Sequence, residues 1–320
     1  MQKETVKAYI TDYIKNPDIE KDVLSEYLTD NLCDDVAVLL VWHENIDKAY
    51  MDKLPNLRGI VRYGVGYDNI DLEYASKRGI YVCNTPDYGT EEVSDSAVAM
   101  ILNAARGISR YDSICRDFSD GTWQENTIEH IRRNSDMTLG VIGAGRIGSG
   151  VLLRAGALRF QTAFFDPYKE RGHEKVLNAK RCESLSELLS ECDIISVHTP
   201  LNKETKGMIN KETISLMKHG ASFVNTARGG IVDCLDDFCT PLKDGRLSSV
   251  SLDVLPDEPP LETELIKAWK KREDWIDGRL IINPHTAYYS RQAYVEMRRK
   301  TAQNALNIIN NVKPWNIIPH

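Results

Sequence analysis

The sequence predicts an α/β protein made of two doubly wound parallel-sheet domains. Three observations point there. Short apolar runs alternate with amphipathic stretches along nearly the whole chain, and the runs are apolar throughout, as in strands covered on both faces. The length, 320 residues, exceeds one ordinary domain and suits two. A glycine-spaced turn, Gly143-Ala-Gly145-Arg-Ile-Gly148, stands where one apolar run meets one helical pattern.

Composition narrows the class. Hydrophobic residues make up 42% and charged residues 27%, the balance of a globular protein with material for two cores. The net charge of −7 gives no general attraction to nucleic acid or anionic membrane, so neither is expected as a partner. No apolar run is long enough to cross a bilayer. The start of the chain is charged and lacks the apolar core of a signal peptide, so a cytoplasmic location is expected. The seven cysteines form no CxxC pair and no zinc-spaced cluster with histidine. They read as free thiols, and no metal is expected.

The apolar runs predict strands at 8–10, 36–41, 59–62 and 80–83, then at 139–142, 162–165, 194–198, 221–225, 250–253 and 280–283. A helical pattern over 90–105 would connect two blocks. After Pro284 a last helix follows, with Ala293, Tyr294, Met297, Ala305, Ile308 and Ile309 at helical spacing. The chain would visit one domain, build the second and return. The expected division is 1–100 plus 290–320 against 101–289, with a ligand cleft between the two. The charged, Trp-bearing stretch 265–279 reads as a solvated helix anchored by Trp269 and Trp275.

The glycine turn has a dinucleotide's requirements. Gly143 permits the tight turn, Gly145 lets a pyrophosphate approach the backbone, and Gly148 lets the helix pack on the strand. The helix N-terminus offers free N–H groups and partial positive charge. The next strand ends in Asp166, 23 residues after Gly143. A carboxylate there accepts from ribose hydroxyls and repels a 2′-phosphate, and Pro167-Tyr168 supplies no cation. The expected cofactor is therefore NAD, not NADP.

Three further segments follow strand ends: Asn225-Thr-Ala-Arg228-Gly-Gly, Asp253-Val-Leu-Pro-Asp-Glu258-Pro-Pro and Asn283-Pro-His285-Thr-Ala-Tyr288. Loops at carboxyl ends of a doubly wound sheet line its ligand crevice. Reducing a 2-oxo acid needs a forked cation for the carboxylate, which suits Arg228. It needs a proton donor for the carbonyl oxygen, which suits His285. A neighbouring carboxylate favours an imidazolium, a part for Glu258. Taken singly, such an Arg, Glu or His is usually a surface or packing residue. Their joint appearance behind a dinucleotide turn gives them weight.

Together these segments, with Tyr63-Gly-Val-Gly-Tyr-Asp-Asn-Ile-Asp71 and Val197-His-Thr-Pro-Leu-Asn202, resemble the D-isomer-specific 2-hydroxyacid dehydrogenase family over nearly the whole length. The resemblance implies two Rossmann-like domains, the substrate domain discontinuous, and a homodimer. It implies Arg228, Glu258 and His285 as the catalytic set and the backbone at Val65 and Gly66 as a substrate-carboxylate contact. It places Arg146 and Ile147 along the pyrophosphate, and Thr199, Thr226, Ala227 and Asp253 on the nicotinamide side. His198 is expected to be structural. Glu91-Glu-Val-Ser-Asp95 and Pro284-His-Thr-Ala-Tyr-Tyr-Ser290 look like the C-terminal-binding protein branch. Val93 departs from the Thr that touches the cofactor in many members, a loss on the order of 1 kcal/mol. Tyr288 stands where the corepressors of that branch have Trp, which would reshape the substrate pocket.

The leading expectation is thus an NAD-dependent 2-oxo acid reductase. Two alternatives stand beside it. One is an NAD-sensing binding protein of the corepressor type. The other is a dehydrogenase of a phosphonate-bearing acid or phosphite, which Arg228 and Gly66 would also bind.

Overall fold

The computed structural model describes residues 6–116, 123–128 and 131–319. Among them, two parallel sheets account for the named strands. The first sheet holds β1 (Lys7–Ile10), β2 (Leu28–Thr29), β3 (Val36–Val41), β4 (Gly59–Arg62) and β5 (Tyr81–Cys83), in the order β2-β1-β3-β4-β5. The second holds β6 (Thr138–Ile142), β7 (Gln161–Phe165), β8 (Lys180–Arg181), β9 (Ile194–Val197), β10 (Ala221–Asn225), β11 (Leu247–Leu252) and β12 (Leu280–Ile282), in the order β12-β11-β10-β9-β6-β7-β8. No helix among the described residues is long and apolar enough to cross a membrane.

The ten expected strands are all present, with ends shifted by up to three residues. The two-residue edge strands β2 and β8 were not expected. Each is too short to show a period or an apolar run, and only pairing with β1 or β7 defines it.

The chain divides into Met1–Gly89 with Tyr289–His320, and Thr90–Tyr288. The helix Thr90–Arg106, expected to connect the domains, lies within the second unit, where it packs on the helix Arg146–Ala157 and on β9 and β10. The second unit therefore begins at Thr90, not at 101.

Apolar strands explain both cores. In the second unit one cluster takes Ile142, Ala163, Ile195, Val197 and Phe223. The other takes Leu139, Val141, Phe164, Ile194 and Val224. Neighbouring residues of a strand point to opposite faces, so strands apolar throughout supply a core on each side. The helix Glu264–Lys271 docks through Leu265, Ile266 and Ala268, with Trp269 and Trp275 only partly buried against them. The expected anchors thus sit at the margin, and the aliphatic residues hold the helix.

In the first unit, β3 is buried at all six positions. The last helix, Arg291–Ile309, lies against β3, β4 and the helix Asp18–Leu24. It carries a buried charge cluster. Arg298 donates through Nε to Glu20 Oε1 at 2.9 Å, and Tyr63 Oη donates to the same oxygen at 2.9 Å. Arg298 also reaches Asp18 and the Asn16 carbonyl, each at 2.8 Å. Glu20 and Tyr63 are at most 1% exposed.

Removing one partner of a buried ion pair strands the other. Glu20→Ala is expected to cost about 3–5 kcal/mol in urea unfolding followed by circular dichroism. An unchanged midpoint would mean that the cluster contributes nothing to stability.

Candidate active site

In the second sheet the strand order reverses between β6 and β9, and a doubly wound sheet opens its ligand crevice there. The turn after β6 shows why its three glycines differ. Gly143 has φ of +90°, and a Cβ on it would lie 2.9 Å from the His198 carbonyl oxygen. On Gly148 a Cβ would lie 1.9 Å from the Gly143 oxygen, so the helix can start only with glycine there. On Gly145 a Cβ would meet nothing within 4 Å. The fold itself makes no demand at Gly145, and the open space above it fits the pyrophosphate of a dinucleotide. Arg146, exposed, and Ile147, half-buried, open the helix Arg146–Ala157 beside that space.

Asp166 ends the next strand. Its carboxylate accepts from the Ala144 N–H at 2.9 Å and from the Tyr168 N–H at 3.0 Å. It thus braces the glycine turn while presenting negative charge beside it. Tyr168 bonds to Glu204. The sequence offered no cation here, yet one is present. Arg181, from the unforeseen β8, donates to the Lys169 carbonyl at 2.9 Å and to the Asp166 carbonyl at 3.4 Å.

Beyond β9, His198 is held by Ser196, with 2.8 Å between Oγ and Nε2. Burial pushes its pKa down to about 3, so the ring is neutral and structural in character. The hydroxyl oxygens of Thr199 and Thr226 are buried and lack a hydrogen-bond partner among the described residues. Buried hydroxyls normally find partners. Two such orphans near the open glycine turn fit polar groups of a nicotinamide nucleotide.

The Arg228 loop is shaped by a residue not singled out from the sequence. Asn225 is fully buried; its amide donates to the Arg228 carbonyl at 3.0 Å and accepts from the Ala227 N–H at 3.0 Å. Arg228 Nη1 caps the Ala227 carbonyl at 2.8 Å. A Cβ on Gly229 would lie 1.9 Å from Leu255 backbone atoms, so this glycine lets the Arg228 loop close on the segment leading to Glu258. An amide at the end of an apolar strand, just before a glycine-rich loop, was the available signal.

His285 Nδ1 and Glu258 Oε2 are 2.8 Å apart. The other Glu258 oxygen accepts from the Leu255 N–H at 2.9 Å. Burial alone would raise the Glu258 pKa. The hydrogen bond and charge of His285, the Leu255 N–H and the Arg228 cation outweigh it, and the carboxyl lies below its ordinary value. His285 adopts φ of +55°, a left-handed conformation a histidine takes only when its surroundings impose it. Asp253 does so. Its carbonyl accepts from the His285 N–H at 2.8 Å, and its carboxylate accepts from the Thr286 and Ala287 N–H groups. Burial raises the Asp253 pKa against the pull of those N–H groups. Asp253, expected beside the nicotinamide, thus spends most of its acceptor capacity on the histidine loop. The Tyr288 ring stands edge-on to His285, centroids 6.4 Å apart.

Val65 and Gly66 belong to the first unit, in the loop after β4. Asn84 donates to the Val65 carbonyl at 2.7 Å, and the Thr85 N–H donates to the Gly64 carbonyl at 2.9 Å. Both pinning residues were missed, since nothing in the sequence pairs them with this loop. One group of possible metal ligands stands together among the described residues, Cys182, Glu187 and Glu191. Lys180 already ion-pairs with both glutamates.

An imidazole–carboxylate pair and an arginine beside a dinucleotide turn equip a protein for nicotinamide-dependent oxidation and reduction of 2-hydroxy acids. Comparison with known proteins agrees. Residues 98–287 match the family described as D-isomer specific 2-hydroxyacid dehydrogenase, NAD binding domain. A glyoxylate reductase of Pyrococcus horikoshii is 34% identical over 293 residues, 90% of this chain and 84% of that one. One of Korarchaeum cryptofilum is 34% identical over 302 residues, 93% of this chain and 86% of that one. The D-lactate dehydrogenase of Aquifex aeolicus, solved with NAD and lactic acid, superposes with a TM-score of 0.82 at 30% identity, covering 95% of each chain. The chain belongs to the D-isomer specific 2-hydroxyacid dehydrogenase family and is an oxidoreductase acting on 2-hydroxy acids.

The two helix-turn glycines separate binding from folding. Gly145→Ala is expected to weaken NADH binding, read by nucleotide fluorescence, with melting temperature within about 2 °C of wild type. Gly148→Ala is expected to destabilise by about 1–3 kcal/mol or more, through overpacking. Equal effects on both readouts would remove the distinction.

Proposed function

We propose that this protein reduces a small 2-oxo acid to the D-2-hydroxy acid with NADH, using Arg228, Glu258 and His285. The observation that carries the reading is the 2.8 Å contact between His285 Nδ1 and Glu258 Oε2. With Nδ1 committed, Nε2 is the nitrogen left to face a reacting oxygen. Glu258, ionised by its surroundings, holds the ring by Nδ1 so that Nε2 can donate a proton to the carbonyl oxygen. In the reverse direction the neutral ring takes that proton back. Arg228 holds the substrate carboxylate in a forked ion pair and draws charge from the carbonyl. The family resemblance gives the Val65 and Gly66 backbone the part of substrate-carboxylate contact. When bound, the nicotinamide supplies the hydride.

Gly143, Gly145 and Gly148 would hold the pyrophosphate with Arg146 and Ile147. Thr199, Thr226, Ala227 and Asp253 would line the nicotinamide side. Asp166 would select NADH, since its carboxylate repels a 2′-phosphate. No step in this reading falls to a metal. Glyoxylate is the first substrate to try, because the two relatives at 34% identity are named glyoxylate reductases. Tyr288, edge-on to His285, would limit the substrate's side chain. The protein would act as a homodimer, as the family resemblance implies, and in the cytoplasm.

A panel of 2-oxo acids, from glyoxylate and pyruvate to aromatic and phosphonate-bearing acids, tests the reading through NADH absorbance. Turnover on the shortest acids is expected. His285→Ala should lower turnover by about 10²–10⁴-fold while NADH still binds. Glu258→Gln should lower turnover while NADH still binds, because the imidazole loses the carboxylate that holds Nδ1. Near-normal turnover without His285 would remove its assigned role.

Asp166→Asn keeps an acceptor for the Ala144 N–H and removes the charge. The NADPH-to-NADH ratio of kcat/KM is expected to rise on the order of tenfold. An unchanged ratio would mean that Asp166 braces the turn without choosing the cofactor.

A further inference from the structure

The segment 91–95 takes no part in the chemistry proposed so far. It opens the helix Thr90–Arg106, which lies on β9, β10 and β11 and against the helix Arg146–Ala157 that follows the glycine turn. In the second sheet β6 and β12 stand four places apart. One helix nevertheless reaches the elements that follow both.

On one face, Ser94 is fully buried. Its hydroxyl donates to the Thr90 carbonyl at 2.7 Å and lies 3.3 Å from the Ile147 carbonyl. The two helices meet closely there, since a Cβ on Gly150 would lie 2.6 Å from Ser94 Oγ. Beside it, Arg154 Nε donates to Asp95 Oδ1 at 2.6 Å. The start of the helix is therefore tied to the helix of the dinucleotide turn.

Residues two apart in an α-helix point about 200° from each other, so Ser96 faces away from Ser94. A serine inside a helix commonly donates to the carbonyl four residues back, as Ser94 does. Ser96 donates instead to the Ala287 carbonyl at 3.0 Å, 191 residues along the chain. Ala287 is buried, and its N–H already goes to the Asp253 carboxylate at 3.0 Å. The histidine loop is thus held at Ala287 from two sides, by Asp253 from the sheet and by Ser96 from the helix. The left-handed backbone of His285 (φ +55°) lies two residues earlier. Such a conformation persists only where its surroundings over-determine it.

We propose that Ser96 is a positioning residue for His285, acting through the Ala287 carbonyl. This inference rests on the assignment of His285 as proton donor. Hydride and proton must reach neighbouring atoms of one carbonyl group. The proton donor must therefore be fixed relative to the fold that holds the nucleotide. Ser96 makes that link, because its helix is tied on the opposite face to the helix of the dinucleotide turn.

The full chain is compared as wild type, Ser96→Ala and Ser96→Thr. The His285 imidazole is followed by NMR with histidine labelled at ring carbon Cε1, its signal assigned by its loss in His285→Ala. Melting temperature, NADH affinity, and kcat and KM for the best 2-oxo acid of the panel are read on the same proteins. In Ser96→Ala the His285 signal is expected to shift or broaden with no nucleotide added. Its kcat is expected to fall about ten-fold, short of the ~10²-fold that an ångström of misplacement can cost. KM and NADH affinity stay within about two-fold of wild type. Ser96→Thr keeps a hydroxyl and is expected to restore both the signal and kcat. The proposal is overturned if, in Ser96→Ala, either the His285 signal or kcat matches wild type while His285→Ala is inactive. Parallel losses of melting temperature, NADH affinity and kcat that Ser96→Thr does not repair overturn it too, since they belong to helix packing alone. If the signal moves but His285→Ala keeps near-normal turnover, Ser96 still holds the loop and the proton-donor assignment is what fails.

Discussion

Two buried polar side chains, Asn225 and Asp253, hold the working end of the second sheet. The Asn225 amide shapes the Thr226–Arg228 turn from both sides. Its own carbonyl accepts the Asp253 N–H at 2.9 Å. Asp253 passes the constraint on, through its carbonyl to His285 and through its carboxylate to Thr286 and Ala287. One chain of hydrogen bonds thus runs across the ends of β10 and β11 to the loop after β12. A buried polar network is stable only when its members are satisfied together, so the arginine loop and the histidine loop are set by the same network.

Against that economy, the unsatisfied atoms stand out. Among the described residues, Thr199 and Thr226 leave buried hydroxyls without partners, and Gly145 leaves space that no neighbour fills. A fold optimised only for stability would close both. Their position by the reversal of strand order, where a doubly wound sheet takes its ligand, accounts for them. The left-handed His285 belongs with them, as local strain held by surrounding structure at a place of chemistry.

Charge is distributed with similar economy. Glu20 and Arg298 neutralise each other inside the first unit, and Glu258 faces His285 and Arg228 in the second.

The sequence by itself determined the class. Apolar runs located ten strands, because strands covered on both faces cannot hide their composition. Gly143, Gly145 and Gly148 were readable because backbone geometry restricts those positions to one residue type or favours it for ligand approach. Arg228, Glu258 and His285 were readable as reactive types at strand ends. Tertiary structure alone decided the rest. The edge strands β2 and β8 exist only through pairing, and β8 brings Arg181 under the Asp166 loop. The helix Thr90–Arg106 joins the second unit because its apolar face meets a partner there, a choice its own periodicity does not encode. Asn225 as brace and Asp253 as holder of the histidine loop are facts about neighbours distant in the chain. A side chain's chemistry is written in its own residue, but its partners are written only in the fold.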